Sequence, residues 1–134
     1  MLPGPKGGQL MRVAPDTNVV VSGVLWQGSP RQVLDAARAG KITLFTTRFL
    51  LAELQDVLTR PKFARRLAQA GIGAATLVVD FAALAVLVQP ANISPVVLAD
   101  PDDDAVLACA LAAQANAMGD AHLLQLGHYQ GIRF

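Results

Sequence analysis

Arg12-Val13-Ala14-Pro15-Asp16-Thr17-Asn18-Val19-Val20-Val21 is an apolar run broken in its middle by three polar residues. An apolar stretch that stops at a polar cluster reads as a short buried strand, here ending where Asp16 begins. Pro15 argues against a regular interior strand, because proline has no N–H to give to a ladder. Outward from this segment, Ile42 to Phe45, Val86 to Gln89 and Asn116 to Gly119 read as three further strands. Helices alternate with them. Ser29 is a candidate cap and Pro30 a first-turn residue for a helix carrying Val33, Leu34, Ala37 and Arg38, which Gly40 ends. Thr47 to Thr59 places Leu50, Leu51, Leu54, Val57 and Leu58 on one face, and Pro61 stops it. Lys62 to Gln69 reads as a short basic helix, and Gly73 to about Ala85 as a longer apolar one. Ser94 to Ala99 reads as an irregular approach, Asp104 to Ala115 as an apolar helix and Ala121 to Leu126 as another. Strand and helix in alternation imply an α/β fold with a mainly parallel sheet and helices on both faces.

The chain has 134 residues, a net charge of +1, 53% hydrophobic and 16% charged residues. That composition excludes disorder for most of the chain and suits one domain with a sizeable core. Residues Met1 to Leu10, rich in Gly and Pro, read as a flexible leader, and 11–134 as the domain; the leader has no apolar block of a secretory signal. The longest apolar candidate for a membrane span, Ala74 to Val88, is broken by Asp80, so no membrane association is expected. Cys109 has no second cysteine to pair with, which fits a reducing, cytoplasmic setting and a small buried apolar role. Near-neutral charge hides an asymmetry: residues Met1 to Gly71 carry a net +6, and Ile72 to Phe134 a net −5. Opposed basic and acidic parts of one small domain suit a polyanionic ligand.

Asp100, Asp102, Asp103 and Asp104 crowd five positions, and Asp120 follows one helix and one short strand later. Packed carboxylates repel unless a cation neutralises them, and hard oxygen donors suit Mg²⁺ or Mn²⁺. Helix capping is the plain alternative, since acids at a helix start satisfy orphan N–H groups. Capping or solvation accounts for Asp102 and a turn for Asp100, but neither explains why three acids precede Asp104. Glu53, near Leu50 and Leu54, reads either as a solvated residue at the margin of an apolar face or as a member of the acidic set. Thr17 and Asn18 are candidates both for capping the next helix and for orienting the Asp16 carboxylate by a hydrogen bond.

Asp16-Thr17-Asn18 closing the first strand, Glu53 on the helix after the second, Asp100 to Asp104 before an Ala-rich helix, and Gly119-Asp120-Ala121-His122-Leu123-Leu124 together resemble the PIN-domain nucleases. The resemblance covers Met11 to Phe134 and is nearest to the branch described as toxins of toxin–antitoxin pairs. It implies a three-layer α/β/α sandwich with a mainly parallel central sheet, holding one or two Mg²⁺ or Mn²⁺ ions and hydrolysing RNA. By motif it makes Asp16, Glu53, Asp104 and Asp120 the catalytic set, with Asp103 sharing or replacing the role of Asp104 as a metal ligand. Asp16 and Asp104 take direct ligand roles, Asp120 a ligand or second-ion role, and Glu53 a water-mediated or general-base role. An antitoxin protein and a homodimer are the partners it implies. His122 stands where that branch often has a further acid, and by the resemblance a last strand and helix are expected beyond Phe134.

Arg60, Lys62, Arg65 and Arg66 form the densest basic patch, a candidate grip on an RNA backbone or ordinary solvated helix charge. Trp26, Tyr129 and the five Phe are scattered along the chain and suggest no stacking platform. His122 and His128 are assigned no role. A phosphohydrolase with an aspartyl nucleophile, or a phospho-accepting receiver, is disfavoured by Asn18 in place of a second acid and by the absence of any Lys after Lys62. A catalytically silent PIN-like module that binds RNA or protein is the alternative to the nuclease.

Overall fold

The computed structural model describes residues 11–91 and 101–119, together with short strands at 128–129 and 132–133. The expected leader, the approach at Ser94 to Ala99, Asp100, Asp120, His122 and the helix at Ala121 to Leu126 lie outside the described residues. Four strands, β1 (Met11–Pro15), β2 (Ile42–Thr46), β3 (Ala85–Leu87) and β4 (Asn116–Met118), form one sheet in the order β3-β2-β1-β4. Every pairing in it is parallel. Among the described residues six helices connect or follow these strands: α1 (Thr17–Leu25), α2 (Ser29–Arg38), α3 (Arg48–Leu58), α4 (Pro61–Ala70), α5 (Ala74–Leu84) and α6 (Pro101–Ala113). A separate antiparallel pair is formed by β5 (His128–Tyr129) and β6 (Ile132–Arg133).

Alternate residues along β1, β2 and β4 feed two different cores, as the two-residue period of a strand requires. Val13, Leu44 and Met118 enter the larger core with side chains from α1 to α5, while Ala14, Phe45 and Ala117 enter the smaller one beneath α6. Leu50 of α3 belongs to the smaller core and Leu54 and Leu58 to the larger. Helices therefore cover both faces, giving the three-layer α/β/α sandwich with a parallel central sheet. Each fully buried Val, Leu or Met at the sheet contributes about 1.5–3 kcal/mol of hydrophobic stabilisation.

Pro15 does sit in an interior strand, between β2 and β4. It is tolerated because it is the last residue of β1 and because the ladder with β2 is registered only as far as Val13 opposite Leu44. The next nitrogen, that of Asp16, donates to Met118 O at 2.9 Å on the β4 side. Alternation along the strand turns the proline nitrogen the other way, where no ladder bond is required of it.

Three helix starts also differ from the sequence expectation. Asp16, not Thr17 or Asn18, caps α1: its Oδ1 accepts from Val19 N at 2.8 Å. Gly28 rather than Ser29 precedes α2, with a φ of 130° that only glycine adopts readily. Helix α6 begins at Pro101 rather than Asp104, because proline suits a first helical turn. Asp102, Asp103 and Asp104 thus lie within its opening turn, and Asp104 is not its cap.

Helix α1 ends in carbonyls that its own ladder cannot satisfy, and arginines from other helices take them. Arg31 donates to Gly23 O and, at 3.3 Å, to Val24 O; Arg66 donates twice to Leu25 O, at 2.8 and 3.3 Å. Positive charge at this end also complements the helix dipole. On the opposite face, Arg12 donates to Ala113 O at 2.7 and 3.0 Å and lies over the Phe45 ring, fastening the end of α6 to β1 and β2.

Candidate active site

Chain order and strand order together define one crevice. From β1 the chain adds β2 and then β3 on one side, and β4 joins on the other side of β1. The direction reverses between β1 and β4, and open parallel sheets bind ligands beyond the carboxyl ends of the strands at such a reversal. Asp16 follows the last residue of β1 at this point. Its backbone bond to Met118 O locks the end of β1 to the end of β4, so Gly119 leaves the sheet at the same edge.

Glu53 reaches that edge from another element. Thr47 ends the β2 extension and caps α3, its Oγ1 accepting from Leu50 N at 3.2 Å. This buried cap starts α3 at the carboxyl end of the sheet, and Glu53 lies in its second turn. There the Thr17 hydroxyl, on the first residue of α1, donates to Glu53 Oε1. Asp16, Thr17 and Glu53 are all half-buried, whereas Asn18 is exposed. Thr17 therefore acts on Glu53, a pairing that sequence spacing does not reveal.

Helix α6 carries Asp102, Asp103 and Asp104 in its opening turn. Its last residue, Ala113, is held near the start of β1 by Arg12, and β4 begins at Asn116 and runs parallel to β1. Helix α6 is thus fastened at the amino end of the sheet, and its 13 residues rise about 20 Å from there. Its opening turn, with Asp103 and Asp104, belongs at the carboxyl edge. Among the described residues no group of three or more His, Cys, Asp or Glu is gathered closely enough to hold an ion. The side chains of Asp103 and Asp104, and all of Asp120, lie outside that description.

Carboxylate oxygens are the hard donors that Mg²⁺ and Mn²⁺ prefer, and Asp16 and Glu53 fit that chemistry.

The basic residues are divided. Arg60 pairs with Asp56 at 3.2 Å, on the surface, and Arg66 is committed to Leu25 O. Lys62 lies 5.2 Å over the Phe63 ring, and Arg65 is exposed. Two features escaped the sequence reading. Arg48, exposed at the start of α3, lines a cavity of about 350 Å³ with Leu87, Val88 and Gln89, at the carboxyl end of β3. Trp26 and Phe63, far apart in sequence, meet edge to face with centroids 5.9 Å apart. The spacing of Phe63 and Arg66 on α4 is visible in the sequence, but nothing local says that Trp26 stands opposite them.

A parallel four-stranded sheet with helices on both faces, and with Asp16 and Glu53 beyond its carboxyl ends, is a PIN-like α/β fold. The PIN-domain family model matches residues 12–118, and the chain belongs to the PIN-domain family. No curated protein and no solved structure gave a significant match. PIN domains are generally nucleases and typically use divalent metals. Among the described residues no single helix is long and apolar enough to cross a membrane, although α4 and α5 pass that test as a pair bent by 88°.

Proposed function

We propose that this protein is an Mg²⁺- or Mn²⁺-dependent endoribonuclease that hydrolyses RNA phosphodiester bonds, acting in the cytoplasm as the toxin of a toxin–antitoxin pair. The observation that carries the reading is the junction of Asp16 and Glu53, through Thr17, at the strand reversal between β1 and β4. Asp16, Asp104 and Asp120 would hold the ion, with Asp103 beside Asp104. When bound, such a cation acidifies water and neutralises charge on the scissile phosphate. Glu53 takes the proton of the attacking water as its oxygen bonds to phosphorus. The ester P–O bond then breaks, and the departing oxygen leaves with a proton from solvent. Thr17 holds Glu53 in one orientation for this transfer, and the α1 cap holds Asp16 in another. The sheet supplies the rigidity, since Asp16 directly follows β1 and Glu53 lies in the second turn of the helix after β2.

Cleavage of a mixed single-stranded RNA pool with Mn²⁺ tests the reading, with wild type, Asp16→Asn and Glu53→Gln purified in parallel. Cleavage that requires the metal and disappears in both variants is the expected result. Equal cleavage by all three proteins would reveal a contaminating nuclease and leave the assignment without support. RNA binding without cleavage would favour a catalytically silent module.

A further inference from the structure

We propose that Trp26 and Phe63, flanked by Lys62 and Arg65, form a stacking platform for the bases of single-stranded RNA. The proposal rests on the ribonuclease reading, because it assigns the platform to the strand whose backbone reaches Asp16. Trp26 caps the end of α1 and remains 42% exposed, although an indole is a costly group to leave in water. Phe63 stands against it at an interplanar angle of 67°, and the Arg66 guanidinium lies 5.1 Å over it. Arg66 is itself fixed by two bonds to Leu25 O. The indole is thereby fastened from two sides while much of its surface stays accessible.

Lys62 lies 5.2 Å over the Phe63 ring, and Arg65 is exposed one turn or less along α4. An exposed indole braced by the half-buried Phe63 ring, with cations lying over one face of each ring, meets the two demands of a single strand: a remaining π-face for bases and positive charge for phosphates. A purely apolar partner would leave the cations uncompensated, and a folded duplex would hide its base faces. Asp16 caps one end of α1 and Trp26 the other, which sets them about 15 Å apart along that helix. One bound strand spans both with a few nucleotides.

Trp26 is the chain's single tryptophan, so its emission reports on this site alone. The full chain is titrated in EDTA with a mixed-sequence 12-nucleotide single-stranded RNA, with the same RNA annealed to its complement, and with heparin. The expected result is saturable quenching by the single strand only, and affinity lowered at least about fivefold by Phe63→Leu. A Lys62→Gln/Arg65→Gln variant, altered only at exposed side chains, keeps the fold and should lower affinity with a shallower salt dependence. Equal quenching by duplex or heparin, unchanged emission on RNA binding, or wild-type affinity in the Gln variant would overturn the platform and leave the patch to a protein contact. Because no divalent ion is present, the result is independent of cleavage. Quenching without Mn²⁺-dependent cleavage retires the nuclease and keeps the platform; cleavage without quenching does the reverse.

Discussion

The Thr17 hydroxyl donates to Oε1 of Glu53, joining the first turn of α1 to the second turn of α3 across 36 positions of sequence. Removing the donor takes this hydrogen bond from a half-buried carboxylate, and a bond to a charged group is worth about 1.5–3 kcal/mol. Thr17→Val is therefore expected to lower the unfolding midpoint in urea and to slow RNA cleavage by about 10- to 100-fold through misplacement of Glu53. Thr17→Ser keeps the hydroxyl and should restore most of the rate. Single-turnover cleavage and urea titration of the three proteins check both halves.

Asp16 has a structural task and a proposed chemical one, and different substitutions separate them. Asparagine caps helices about as well as aspartate, whereas alanine at such a position costs about 0.5–2 kcal/mol. Asp16→Asn should keep the stability of wild type yet abolish cleavage, while Asp16→Ala should lose both. Equal destabilisation by the two variants would show that charge, not the Val19 bond, is what α1 needs.

Gly23 lies inside α1, where alanine would ordinarily improve helix propensity by about 1 kcal/mol. Here a Cβ would fall 2.8 Å from Leu34 Cδ1 and 2.9 Å from the Pro30 carbonyl oxygen. The backbone contact cannot yield as a flexible side chain would. Gly23→Ala is expected to destabilise by about 1–3 kcal/mol, separating α1 from α2. Thermal unfolding with a lower midpoint checks it.

Cys109 is fully buried beneath the sheet, and burial pushes its thiol from 9.0 up to about 11. Its thiolate is disfavoured in the folded chain, so a thiol reagent at pH 8 should label it only after denaturant is added. The unfolded thiol ionises first as pH rises. The associated stability is thus complete below pH 9.0 and is lost as pH climbs through about 11. Cys109→Ala should remove that part of the alkaline decline in urea midpoint.

Most of the layer order was legible because buried parallel strands and amphipathic helices leave strong local periodicities. The strands around Leu44 and Met118 and the helix ending before Pro61 fall within a few residues of expectation. What local pattern could not convey was tertiary. Pro15 is acceptable only because β2 stops pairing with β1 at Val13, a matter of register. Asp16 wins the cap of α1 over Thr17 because Thr17 is drawn to Glu53, a residue from another element. Trp26 and Phe63 form a pair that no window of either segment contains, and Arg66 belongs to α1 as much as to the basic run in which it was read.

Arg12 holds the carbonyl of Ala113 at the opposite end of α6 from Asp103 and Asp104. Between those ends α6 is pinned again, by Ala91 N donating to Ala108 O at 3.0 Å and by Val106, Cys109 and Ala110 buried in the smaller core. The direction in which its opening turn leaves the sheet is thus set by the packing of a whole helix and not by one contact near the acids.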